Sequence, residues 1–106
     1  MNSGLSATIT NDIRSVFSRY EQVDSAILYG SRATGNYRPG SDIDLTLIGD
    51  DLDFNLLTRI INDLDDLLTA YKFDISIFKD INNEKLIEHI NRFGIKFYNK
   101  QGNEND

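Results

Sequence analysis

Residues 41–49 read "SDIDLTLIG", and this alternation has one extended solution. Asp42, Asp44 and Thr46 point to one side; Ile43, Leu45 and Leu47 point to the other. A strand with an apolar face needs a covering layer, so the chain must fold around a sheet. The acidic face is the anomaly. Asp is a poor strand former, and using it twice on one face has a local cost that some gain must offset.

The rest of the chain supplies the partners. Ile9, Ile13, Val16, Phe17 and Tyr20 recur at helical spacing, with Thr10 or Asn11 expected as N-cap. "SAILYG" is a short strand stopped by Gly30, and "SRATGNYRPG" is rich in turn formers. Phe54, Leu57, Ile60, Ile61, Leu64, Leu67 and Leu68 form one helical stripe capped by Asp53. "KFDISIF" is a third strand with Asp74, Ser76 and Phe78 on one face. "NEKLIEHINRF" is a helix ending at Gly94, and "IKFYN" is a final strand. The expected order is α-β-(turn or short helix)-β-α-β-α-β, an α/β two-layer arrangement with an open sheet face where the aspartates emerge. Residues 1–7 are expected to fray, residues 8–99 to form one domain, and residues 100–106 to be disordered.

Composition removes several function classes. A length of 106 residues allows one modest core. No apolar run approaches the ~18–20 residues of a membrane span, and "MNSGLSAT", with no basic flank and no apolar core, is not expected to act as a signal peptide. The chain has no cysteine, so disulfides and thiolate zinc sites are excluded, and a cytoplasmic location is expected. A net charge of −6 argues against direct nucleic-acid binding, which needs a basic footprint. It leaves three readings: a basic protein partner, a substrate brought in by metal ions, or simply good solubility.

Asp42 and Asp44 are expected roughly 6.5–7 Å apart along their strand. Asp74 repeats the anomaly on the next long strand. If those strands are neighbours, three carboxylates share one patch, and like charges at ~4 Å cost a few kcal/mol near a dielectric of 20. Protonation or a bound cation relieves that cost. Oxygen ligands with no His or Cys nearby favour Mg²⁺ or Mn²⁺, and Mg²⁺ prefers one or two carboxylates plus phosphate oxygens. Gly30 and Ser31 stand where a strand ends and a helical turn begins, a junction that presents N–H groups to a phosphate. A phosphate anchor followed by a carboxylate pair is what nucleotidyl transfer needs.

At these residues the sequence resembles a known family. "GSRATGNYRPGSDIDL" is similar to the signature of the minimal nucleotidyltransferases, the small branch of the DNA polymerase β-like superfamily. Gly30, Ser31, Asp42 and Asp44 match that signature at its spacing, and Asp74 in "FDISIF" matches the third carboxylate. The resemblance covers roughly residues 10–98. It implies the nucleotidyltransferase fold, a short mixed sheet with helices packed on one face. It implies that Asp42 and Asp44 ligate two Mg²⁺ ions and that Asp74 completes a metal site and takes the acceptor's proton. ATP would be the substrate, with Gly30, Ser31 and Arg32 at its phosphates. Many minimal members are antitoxins encoded beside a HEPN-domain toxin, and some transfer AMP to a tyrosine of that toxin. One departure concerns Thr34, where many relatives carry a second basic residue; phosphate binding is then expected to lean on Arg32 and Arg38.

Two other readings stay open at this point: an antitoxin that blocks its toxin by binding alone, and a transferase acting on a small molecule such as an aminoglycoside. Among the remaining residues, Tyr37 reads as a packed loop tyrosine and Thr46 as a strand former. His89 reads as a structural histidine of the last helix, and the acidic residues 50–53 as a solvated helix start.

Overall fold

The alternating segment becomes strand β2 (Ile43–Ile48) and stands inside a four-stranded sheet. The computed structural model describes residues 3–101, so the expectations for residues 1–2 and 102–106 lie outside the described residues. Helix α1 (Ala7–Ser18) leads into β1 (Ser25–Tyr29), and the short α2 (Ser31–Thr34) precedes β2. Helix α3 (Phe54–Leu67) connects β2 to β3 (Phe73–Ile77); α4 (Glu84–Phe93) and β4 (Ile95–Asn99) complete the chain. The sheet order is β3-β2-β1-β4. Strand β1 pairs antiparallel with β2 and β4, while β2 and β3 are parallel. Parallel neighbours need a crossover, and α3 supplies it.

The core lies between one sheet face and two helices. Ala26, Leu28, Ile43, Leu45, Leu47, Ile75 and Ile77 meet Ile13, Val16 and Phe17 of α1 and Leu56, Ile60 and Leu64 of α3. The Tyr20 hydroxyl donates to the Asp63 carboxylate and ties the end of α1 to α3. That bond, then burial and the Asp63 charge, raise the Tyr20 pKa.

The mixed α/β sheet is as expected, but the helices do not all pack on one face. Ile27 and Tyr29 of β1 stand opposite Thr46 and Asp44, so they share the acidic face. Helix α4 packs on that second face over β1. Its His89 ring meets Tyr29 edge-on at 6.2 Å, and a Cβ at Gly94 would run into Ile27. The reason is compositional. Ile27 is apolar on a face where β2 and β3 present Asp44, Thr46, Asp74 and Ser76, so the β1 portion needs a cover. Gly94 does end α4, with an extended rather than left-handed backbone. Its value there is close approach.

Helix α1 also begins earlier than a cap at Thr10 or Asn11 would allow. Ser6 is the N-cap, its hydroxyl accepting from the Ile9 N–H at 3.1 Å. Nearby Ser3, in the segment expected to fray, is buried. At the other end, Lys100 pairs with Asp24 at 3.0 Å.

Candidate active site

Sheet register assembles the site. Asp44 and Asp74 are direct partners across the parallel β2 and β3 pairing, about 4.8 Å apart along the hydrogen-bonding direction. On its other side Asp44 stands opposite Tyr29. One row of the face therefore reads Asp74, Asp44, Tyr29. The row beneath is neutral: Ser76 donates its hydroxyl to Thr46 Oγ1 at 2.9 Å, and Tyr29 hydrogen-bonds Ser76. Thr46 is fully buried and closes the floor. Asp42 lies just before β2 and is exposed, as is Asp74, while Asp44 is half-buried.

That placement shows in the electrostatics. Burial, then the charges of Asp74 and Asp42, push the Asp44 carboxyl up to about 6, with the Arg32 charge pulling the other way. Burial and the charges of Asp74 and Asp44 raise the Tyr29 phenol, against a lowering from Ser76. Negative charge is thus in excess on this face.

The turn after β1 closes against the carboxylate. Gly30 has φ of 75°, and a Cβ there would run into Asp44 Oδ2. Only glycine meets both conditions. The Gly30 N–H donates to Nε2 of His89 at 3.2 Å, so it is not free for a phosphate. Gly30 instead brings the chain against Asp44 and starts α2, whose first turn begins at the half-buried Ser31.

Arg32 departs from its expected place at the phosphates. It is 2% exposed, and its guanidinium is used up within the protein. Nε and Nη2 donate to the Ser41 carbonyl at 3.2 and 3.0 Å, and Nη1 donates to the Ser3 carbonyl at 2.9 Å. The rings of Tyr37 and Tyr71 lie 5.5 and 5.9 Å from it. Arg32 thereby holds the N-terminal segment and the residue before Asp42 onto α2. The cause is that carbonyls and aromatic faces surround a guanidinium that would otherwise be buried without partners. Arg38 remains exposed in the same loop.

His89 and Tyr29 are site neighbours that the sequence reading left aside. The signal for His89 is its spacing: Leu86, His89, Ile90 and Phe93 share one helical stripe, which turns it inward. For Tyr29 it is the alternation with Ile27.

The donor set suits a hard cation. Among the described residues, no three His, Cys, Asp or Glu side chains converge closely enough to cage a metal ion. Mg²⁺ does not require such a cage, because it takes one or two carboxylates and completes its shell with phosphate oxygens and water. The raised Asp44 pKa marks an uncompensated carboxylate where such a cation fits. A broad surface hollow runs along α4, between Glu84 and Arg92, and none of the aspartates lines it.

Comparison with known proteins agrees with this geometry. No curated protein matches the sequence at a significant level. Solved structures match in fold. A toxin–antitoxin crystal structure with AMP-PNP superposes with a TM-score of 0.72 at 20% identity, over 87% of this chain and 74% of that one. The toxin–antitoxin MntA-HepT gives 0.68 at 17%, over 91% and 74%. A tri-AMPylated Shewanella oneidensis HEPN toxin in complex with an MNT antitoxin gives 0.66 at 18%, over 89% and 72%. At such identities the likeness is one of fold. The family model described as polymerase beta, nucleotidyltransferase matches residues 11–103, a span holding the Gly30 turn and all three aspartates. With nearly the whole chain inside that match and its signature residues gathered on one sheet face, the protein belongs to the polymerase beta nucleotidyltransferase family.

Proposed function

We propose that this protein transfers AMP from ATP to a hydroxyl of a protein partner, and that the partner is a HEPN-domain toxin which the transfer silences. The observation that carries the reading is the register pairing of Asp44 with Asp74 beside the Gly30 turn, on a face that α4 leaves open over β2 and β3. Fold neighbours support the choice of partner: one is a toxin–antitoxin structure with AMP-PNP, another an AMPylated HEPN toxin with its MNT antitoxin.

The acceptor hydroxyl attacks the α-phosphorus of ATP. A new oxygen–phosphorus bond forms, the bond to the β-phosphate oxygen breaks, and pyrophosphate leaves. Exposed Asp74, beside Asp44, takes the hydroxyl proton. Asp42, Asp44 and Asp74 are the residues that would hold Mg²⁺, which when bound draws charge from the triphosphate and the leaving pyrophosphate. Ser31 and its N–H serve the β- and γ-phosphates, and Arg38 is the loop cation exposed to reach them. Arg32 acts one step back, by holding the residue before Asp42. The acidic charge steers a basic partner to the domain.

Intact-protein mass spectrometry tests the reading. The candidate toxin is incubated with Mg-ATP and either the wild-type protein or Asp44→Asn. An adenylyl mass step with wild type alone is the expected result. No step, from a protein that still binds and silences the toxin, moves the assignment to an antitoxin that acts by occlusion.

A further inference from the structure

We infer that His89 is a positioning residue: its neutral imidazole accepts the Gly30 N–H and so sets the turn against which both Asp44 and the nucleotide rest. Its importance for nucleotide binding rests on the proposed transferase function; the hydrogen bond itself does not.

The bond joins two elements far apart in the chain, the end of β1 and the middle of α4. Nε2 is the acceptor, so the ring must carry its proton on Nδ1. The ring meets Tyr29 edge-on at 6.2 Å and Phe93 at 5.3 Å. Helix α4 is itself seated by buried Ile90 and by the close approach of Gly94 to Ile27. Gly30 in turn touches Asp44 Oδ2 at the position of its missing Cβ. A shift of the turn therefore moves both the carboxylate and the N–H groups of α2. Because His89 occupies the Gly30 N–H, donors for an anion begin at Ser31. This gives α4 a part in the site without any of its side chains touching substrate.

Long-range ¹H–¹⁵N correlation on the wild-type protein reads the His89 tautomer directly, and the Gly30 amide reports its partner. Mg-ATP titration then compares wild type, His89→Gln, which keeps a neutral acceptor, and His89→Leu, which does not. The expected results are an Nδ1–H tautomer and a displaced Gly30 amide in His89→Leu. Mg-ATP binding should weaken about two- to tenfold, the worth of one hydrogen bond, and recover in His89→Gln. An Nε2–H tautomer overturns the proposal, as does a folded His89→Leu that binds Mg-ATP like wild type. If wild type binds no Mg-ATP, the transferase reading fails and the nucleotide role fails with it, while the tautomer still decides the hydrogen bond.

Discussion

At the scale of single residues, the face is organised around Asp44, whose position serves the site at the expense of stability. Its carboxyl is raised to about 6 by burial and by Asp74 and Asp42. A group whose folded pKa lies above its unfolded value of 3.8 gives its full stabilisation below that value, and loses it as pH rises through about 6. Asp44→Asn should therefore stabilise the protein at pH 7.5 without divalent cation, by about 1 kcal/mol after discounting for the half-exposed position. The advantage should vanish near pH 4. Urea unfolding at the two pH values checks this. The same variant should lose the proposed transfer activity by at least ~100-fold. Gly30→Ala meets both a positive φ and the Asp44 carboxylate, and should cost about 1–3 kcal/mol in the same unfolding measurement. The aspartates could be read from the sequence because each breaks an apolar pattern. The burial of Arg32 could not, because its partners are backbone carbonyls at Ser3 and Ser41, which no residue type announces.

At the scale of elements, helix starts divide into those that sequence spacing marks and those it leaves ambiguous. Asp53 caps α3 as the residues suggest, its Oδ1 accepting from the Leu56 N–H at 2.8 Å. Asp53→Ala should cost about 1 kcal/mol by thermal or urea unfolding. Asn83 caps α4 through the Lys85 and Leu86 N–H groups. Asn83→Ala should cost about as much. It should also loosen the Gly30 turn through His89, which the Gly30 amide shift would record. Helix α1 was harder to place, because Ser6 and Thr10 are both good caps and only the tertiary position of residues 3–7 selects Ser6. The strands were legible from their period of two. Gly94 was legible as a stop, though its backbone is extended and its small size serves packing on Ile27.

Across the whole molecule, two layers of helix divide the work. Helices α1 and α3 bury the apolar face of the sheet, and α4 packs over β1 on the other, leaving Asp44 half-buried and Asp74 exposed. Among the described residues no helix is long and apolar enough to cross a membrane. A ligand that binds the folded face alone adds stability by mass action. Mg-ATP at a hundred times its Kd should thus add about 2.7 kcal/mol, with EDTA reversing the gain. Differential scanning fluorimetry checks it, and Asp44→Asn should show little of the effect. By itself, the sequence determined the elements, their order and the faces on which Asp44, Asp74 and Thr46 lie, because local periodicity and cap chemistry are properties of neighbours in the chain. Only the tertiary structure decided that β2 and β3 lie side by side with Asp44 opposite Asp74, that Arg32 turns inward, and that His89 reaches Gly30. Those are contacts between residues far apart in the chain, and the register, burial and packing that create them exist only once the sheet has formed.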